Sequence, residues 1–395
     1  MTEASTFLGM PISPQQAAFR AEVRAWLDEH LVGEFQEFGG RGRASSDEGF
    51  DVRQRWEKEL ARGRWLGLSI PPEYGGRGLG ITEQIIFTYE YARAGAPYRL
   101  SIQGTDMLGP TLIAFGSEEQ KQRFLPSILA AEVIWCQGFS EPEAGSDLAG
   151  VRTRAERQGD SWVLNGQKIW TTFGHYADWI YVLCRTDPDA PKHQGLSVLL
   201  VPIDQPGVEV RPIRNLADES DFAEVFFTDA RTSADLVVGP LHGGWKVALG
   251  TLGFERGTAT LPYQMKFERE VEALMGLARE RGVGPPLRDR LVAAYIGVRI
   301  LGFNNLRNLA KLVHGNETLG PESTIMKLYW ASWHRRLGEL GMDILGAEAM
   351  SLDGPHSDLV KTFLLSRAET IYGGSNQIQR NTIGERVLGL PREPR

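Results

Sequence analysis

Two residues of opposite charge stand side by side in an otherwise small, apolar stretch: Glu255 and Arg256 in LGTLGFERGTATLP, residues 249–262. On a helix surface such a pair is an ordinary ion pair. In an apolar pocket, burial raises the carboxyl pKa until the group can act as a base near neutral pH. Further on, IYGGSNQIQR (371–380) offers adjacent glycines, a serine and a run of amides, but no carboxylate or imidazole. Such residues make turns, with or without a ligand beside them. QGFSEPEAGSDLAG (137–150) mixes Gly, Pro, Ser and carboxylates; it reads as a plain linker or as a ligand-lining loop. KIWTT (168–172) ends in an aromatic and two hydroxyls. Either Trp170 belongs to the core, or this strand end meets a flat polar ring.

Other chemistries are poorly supported. No G-x-x-x-x-G-K-[ST] phosphate loop is present, and YGGRGLG lacks the G-x-G-x-x-G spacing. No H-E-x-x-H, Cys/His cluster or G-x-S-x-G motif occurs, so neither a metal site nor a serine hydrolase is expected. A net charge of −7 with no basic stripe argues against nucleic acid as a partner. The N-terminus lacks a basic segment followed by an apolar run, and no apolar stretch approaches the roughly 18 residues of a membrane span. Cys136 and Cys184 could form one disulfide at most and fit no metal or redox spacing. A cytoplasmic protein is the expectation.

The elements that must position these residues fall into three blocks. A chain of 395 residues is longer than one core usually grows, so two or three domains are expected. Ser13 before Pro14 caps a helix with Phe19, Val23, Trp26 and Leu27 at helical spacing. Helices are also expected over 51–63 and 82–94, separated by the loop SIPPEYGGRGLG, and SEEQ (117–120) is a capping box opening another. Strands follow: DSWVLNGQKIWTT, with Asn165-Gly166 read as a hairpin turn, then 179–184, 196–202, 208–213 and 223–227. Long helices return over 244–280, 287–313, 323–345 and 357–371, with a last one from 376. The expected fold is α+β, with an N-terminal helical domain (1–130), a central antiparallel β-sandwich or barrel (131–240) and a C-terminal four-helix-bundle-like domain (241–395).

Taken in order, PPEYGGRGLG, WCQGFSEPEAGSDLAG, LNGQKIWTT, FERG and IYGGSNQIQRNTIGERVLGLP resemble sequence blocks of the acyl-CoA dehydrogenase family. The resemblance covers nearly the whole chain. It implies non-covalent FAD where the β-domain meets the helical domains, and an acyl-CoA thioester substrate. It implies that Gln137, Phe139 and Ser140 line the flavin, that Ser146 contacts the CoA part of the substrate, and that Trp170 and Thr172 pack against the isoalloxazine and bond near N5. Ser375 and Gln377 match cofactor-contacting positions.

Many family members carry the catalytic glutamate where this chain has Gly373. A second branch, of isovaleryl- and long-chain type, places it just before an arginine in the helical bundle, which Glu255-Arg256 matches. The resemblance therefore implies Glu255 as the base removing the α-proton, with hydride passing from Cβ to flavin N5. The Gly373 N–H would be one donor to the thioester oxygen, with Arg256 and Gly373 on the substrate side. The bare glycine leaves room for a long, branched or bulky acyl group.

Two stretches depart from the family pattern. Where homotetrameric relatives clamp the FAD pyrophosphate with Arg-x-x-Phe-Gly, this chain has ERGVG (280–284), with Glu280 at the arginine position. Where a glutamine and a Gly-Gly turn usually stand, it has DILGAEAM, with Asp343 and Ala347 as replacements. An acidic residue beside a pyrophosphate is unfavourable by Coulomb sign. The ADP part is either bound differently or clamped by a homologous partner, so both a homo-oligomer (dimer or tetramer) and a hetero-oligomer stay open. An electron-transfer flavoprotein is the expected electron acceptor. Alternatives are an acyl-CoA oxidase, a nitroalkane-oxidase-like enzyme, and a non-catalytic or half-site subunit of a hetero-oligomeric dehydrogenase.

Overall fold

The computed structural model describes residues 6–40, 48–258, 260–313 and 324–392, with backbone alone over 255–258, 260–262 and 312–313. The chain divides into two compact units, Ala18–Thr258 on one side and Met1–Ala17 with Ala259–Arg395 on the other. A two-stranded ribbon, β1 (Thr6–Phe7) and β2 (Met10–Pro11), opens the described residues. Helix α1 (Pro14–His30) crosses from one unit into the next. Its start is a reciprocal cap: Gln16 N–H donates to Ser13 Oγ at 3.1 Å, and Ser13 N–H to Gln16 Oε1 at 3.0 Å. Phe19, Val23 and Leu27 form its buried stripe.

Within the first unit follow α2 (Glu34–Phe38), α3 (Phe50–Arg62), α4 (Ile81–Arg93), α5 (Gly109–Phe115) and α6 (Glu118–Leu129). The capping box is present at α6, where Gln120 N–H donates to Ser117 Oγ at 3.2 Å and Gln120 Oε1 accepts from Ser117 N–H at 3.3 Å. The β-region comprises β3 (Trp135–Gly138), β4 (Arg154–Gln158), β5 (Ser161–Thr172), β6 (Trp179–Arg185), β7 (Leu196–Pro202), β8 (Val208–Ile213), β9 (Phe222–Ser233) and β10 (Val237–Val238). They form one sheet in the order β10-β7-β6-β4-β5-β9-β8, with β3 beside β6. Most neighbours are antiparallel; β3 runs parallel to β6, and β4 touches β6 in parallel at Arg154↔Arg185. Cys136 and Cys184 lie in the sheet core as free thiols.

The structure corrects the reading of Asn165-Gly166. The hairpin turn lies at Gly159-Asp160, between β4 and β5, while Asn165-Gly166 sits inside the continuous strand β5. The pairing with β9 shifts between Leu164 and Gly166, so the dipeptide marks a bulge. Asn165 bonds across to Asp229, whose N–H donates to Asn165 Oδ1 at 3.0 Å. Gly166, at φ +150°, passes so close to β4 that a Cβ would lie 2.5 Å from Thr153 Oγ1.

The first unit ends with α7 (Gly244–Thr258). The second consists mainly of α8 (Thr260–Arg281), α9 (Pro285–Val313), α10 (Thr324–Leu345), α11 (Ser357–Ser366) and α12 (Asn376–Thr382), packed around Phe267, Val298, Trp330, Trp333 and Leu337. Among the described residues no helix is long and apolar enough to cross a membrane.

Candidate active site

In the first unit, a buried ion pair shapes the loop after β3. Lys168, 0% exposed, directs its ammonium to Glu141 Oε1 at 2.8 Å and to the Phe139 carbonyl at 3.0 Å. Glu141 also accepts the N–H groups of Arg152 at 2.6 Å and Thr153 at 2.8 Å. Burial alone would raise the Glu141 carboxyl, but Lys168 and these donors outweigh it and hold the pKa below its ordinary value. Burial pushes the Lys168 ammonium down. The loop is thereby tied to β5, and Ile169 N–H adds a bond to the Ser140 carbonyl at 3.0 Å.

This arrangement holds Phe139 and Ser140 against Lys168 and Ile169, the residues that precede Trp170 on β5. Phe139 is buried edge-on to Tyr181, with ring centroids 5.7 Å apart. Tyr181 Oη donates to Gln103 Oε1 at 2.6 Å and accepts from Gln137 Nε2 at 3.2 Å. Ser140 and Thr172 are half-buried. Ser146 lies further along the same loop, exposed.

Trp170 is not a core residue: it is 57% exposed and has φ +61°. Simple alternation would put Lys168 and Trp170 on the same face. A second register shift between Lys168 and Thr171 breaks that alternation, burying Lys168 and Thr171 and turning the indole outward, edge-on to Phe222. Phe173, three residues on, also has positive φ, at +57°. Two left-handed non-glycine residues this close are stored strain of the kind found at ligand sites.

Glu255 and Arg256 fall on the last turn of α7, and their side chains lie outside the described residues. The helix that carries them is fixed one turn earlier, where Thr251 Oγ1, 1% exposed, lies 2.9 Å from Thr111 Oγ1 of α5.

In the second unit, Gly373 and Gly374 form a left-handed turn, at φ +61° and +89°. Gly373 is exposed, and among the described residues its N–H donates to none. Its carbonyl accepts from Gln379 Nε2 at 3.3 Å. Ser375 caps α12, its Oγ accepting Ile378 N–H at 3.2 Å, and Gln377 is exposed on the first turn. Ser375 thus already has a structural task. Gly373, Ser375 and Gln377 share one turn.

At the two departures from the family pattern, Glu280 is exposed and Asp343 pairs with Arg290. Arg281 turns into its own bundle, donating to the Leu345 carbonyl at 3.0 Å and to Glu348 Oε2 at 2.6 Å. Arg279 is exposed.

Sequence reasoning missed Lys168, Glu141 and Tyr181. A charged residue at an inward position of an apolar strand was the available signal for Lys168, and Glu141, in the loop after β3, offered none. It also missed a buried cluster around His334, described below.

Set beside known proteins, the chain matches three family descriptions in sequence order. They are the N-terminal domain of acyl-CoA dehydrogenase over residues 13–132, the middle domain over 136–230 and the C-terminal domain over 242–388. It is 48% identical over 389 residues to "Acyl-CoA dehydrogenase IpdE1" of Mycolicibacterium smegmatis, covering 95% of this chain and 98% of that one. The protein of the same name from Mycobacterium tuberculosis is 49% identical over 380 residues, with the same coverage. Among solved structures, the "Tcur3481-Tcur3483 steroid ACAD" superposes with a TM-score of 0.83 at 31% identity, covering 97% of this chain and 99% of that one. The ChsE4-ChsE5 complex of Mycobacterium tuberculosis gives 0.80 at 29% identity, with the same coverage.

Proposed function

The chain belongs to the acyl-CoA dehydrogenase family, oxidoreductases acting on acyl-CoA, and from that premise we propose that it uses FAD to dehydrogenate a bulky acyl-CoA between Cα and Cβ. The observation that carries the cofactor assignment is Trp170. An exposed indole on strained backbone, beside half-buried Thr172 and the loop pinned by Lys168, fits the face of a flat polar ring. Gln137, Phe139, Ser140, Trp170, Thr172, Ser375 and Gln377 are the residues proposed to hold it. When bound, FAD supplies the acceptor for the hydride that leaves Cβ.

The chain's own residues do the rest. Glu255 removes the α-proton, giving the trans-2-enoyl-CoA once hydride has left. An α-proton of a saturated thioester is weakly acidic, so charge developing on the thioester oxygen must meet a preorganised donor. The Gly373 N–H, open in its left-handed turn, is that donor. Ser146 and Arg256 are assigned to the substrate side. With no side chain at 373, room is left beside the reacting carbons for a branched or ring-bearing acyl group. The name of one structural relative, a steroid ACAD, supports this size class.

We place the enzyme in the cytosol with an electron-transfer flavoprotein as acceptor; the two buried free thiols suit a reducing compartment. Both structural relatives are named as pairs of chains, and with Glu280 and Asp343 at the expected clamp positions this supports a hetero-oligomer with a homologous subunit. The test is turnover of straight short-chain, 2-methyl-branched and ring-bearing thioesters by the flavin-loaded protein. Faster conversion of bulky thioesters to enoyl-CoA is expected. A strict short-chain preference would sink the size assignment, and no enoyl product from any thioester would sink the function.

A further inference from the structure

The second unit buries a charge cluster that the reaction above leaves unused. His334 on α10 is 2% exposed, and both ring nitrogens meet carboxylates. Nδ1 lies 2.6 Å from Glu369 Oε2, and Nε2 lies 2.7 Å from Glu270 Oε2 on α8. A neutral imidazole has one N–H and can satisfy one of these acceptors; the imidazolium donates to both.

Glu369 lies four residues before Gly373, in the short turn after α11. Its backbone carbonyl accepts the Lys327 ammonium, which also sits 5.3 Å from the Tyr372 ring centroid. Beyond the glycines, Asn376 Nδ2 donates to Ser332 Oγ at 3.2 Å. Helix α10 therefore grips the glycine turn on both sides, through Lys327 and His334 before it and Ser332 after it. We infer that His334, as an imidazolium pinned between Glu270 and Glu369, is a positioning residue that fixes the 371–374 turn on α10 and so aims the Gly373 N–H. The inference rests on the reading of Gly373 as the donor to the thioester oxygen, and names what holds that donor in place.

The electrostatics agree with the geometry. Burial by itself would push the imidazole down, but Glu270 and Glu369 outweigh it and raise His334 to about 9. Glu270, also desolvated, is held below the ordinary carboxylate value chiefly by His334 and then Lys266, whose ammonium is 3.6 Å away. The groups facing His334 are Glu270, with Lys266 behind it, from α8 and Glu369 from the turn. The Phe267 ring lies 4.3 Å from its centroid, and Trp333 is stacked at 6.1 Å. Since the folded value lies above the ordinary 6.5, the pin is complete below that pH and weakens as pH rises through about 9, where the imidazole keeps a single N–H.

The test compares the flavin-loaded wild type with His334→Gln. Hydrogen exchange is followed over the 367–380 peptide and over α8 and α10, from neutral pH to beyond the His334 transition. The infrared carbonyl band of a bound long straight-chain 2-enoyl-CoA, isotope-labelled at the thioester carbon, reports polarisation of its oxygen. In the wild type the turn should be protected near neutral pH and loosen as pH rises through about 9. In His334→Gln the turn should be loose throughout, with no pH step, and the carbonyl band should move back toward that of free thioester. On the thioester turned over fastest, kcat should fall up to about 10²-fold with little change in KM. Unchanged protection and band position, or loosening of α8 and α10 as great as that of the turn, would overturn the inference. Should His334→Gln fail to fold, Glu369→Ala removes the turn's own half of the pin, leaves the Glu270–His334 pair inside the bundle, and is read the same way. A wild type that neither binds nor converts thioesters would sink the proposed function instead, while the exchange arm still decides whether His334 holds the turn.

Discussion

In the proposed reaction a carboxylate at position 255 takes a proton from carbon, and its value as a base depends on where charge goes when the proton leaves. General base catalysis alone contributes about 10²–10⁴-fold. Glu255→Gln should therefore lower kcat by about that factor while flavin content stays as in the wild type, measured by absorbance and single-turnover reduction. Loss of flavin together with activity would instead make Glu255 a structural residue. Lys168 offers a contrasting case, since it touches the loop and not the reacting atoms. Lys168→Met leaves the buried Glu141 carboxylate without its cation, and breaking a buried pair costs about 3–5 kcal/mol. The expected result is a lowered unfolding midpoint and weaker flavin retention. Because Lys168 depresses the Glu141 pKa, the pair's contribution is present above the ordinary carboxylate value and fades on acidification. The variant should thus differ least from wild type at acid pH. At this scale motif blocks singled out Glu255, Gly373 and Trp170 as candidates. It hid Lys168 because a lysine in a strand ordinarily faces water.

The strand β5 shows how an element can contradict its own local signals. Asn-Gly flanked by apolar alternation is the strongest short hairpin signal, yet here the turn is made by Gly159-Asp160 and the Asn-Gly pair becomes a bulge. The choice was made by partners outside the local stretch: Asp229 on β9 bonds Asn165, and Thr153 beside β4 leaves no space at 166. Gly166→Ala should therefore be destabilising by about 1–3 kcal/mol, from the unfavourable φ and the contact with Thr153 together. Denaturant unfolding of the variant would measure it, and a loss below the error of extrapolation would show that the strand relaxes at no cost. Helix starts were legible because caps are local: Ser13 with Gln16 and Ser117 with Gln120 close within four residues. The parallel pairing of β3 with β6 was not, because it joins residues more than forty positions apart with no turn between them to announce it.

At the scale of the whole molecule, the question is whether one gene product closes the cofactor site. The diphosphate of FAD is anionic and needs cationic or backbone donors. At the position where relatives present arginine this chain presents exposed Glu280, and the neighbouring Arg281 is engaged with the Leu345 carbonyl and Glu348 of its own bundle. Asp343 adds a second carboxylate, already paired with Arg290. Freeing Arg281 would break its bonds to a helix end together with a surface ion pair of about 0–1 kcal/mol, so a rearranged self-clamp carries a cost. A partner subunit bringing its own cation avoids that cost. The chain expressed alone should accordingly purify with flavin well below one per chain, and co-expression with a homologous acyl-CoA dehydrogenase subunit should restore both flavin and turnover. Glu280→Arg in the lone chain should raise flavin retention part of the way, since it reverses the sign of charge at the clamp position without supplying the partner's remaining contacts. Full flavin occupancy of the unmodified lone chain, measured from the ratio of flavin to protein absorbance, would reverse the argument: the site would be closed by copies of this chain, with Arg279 the exposed cation next to the clamp position.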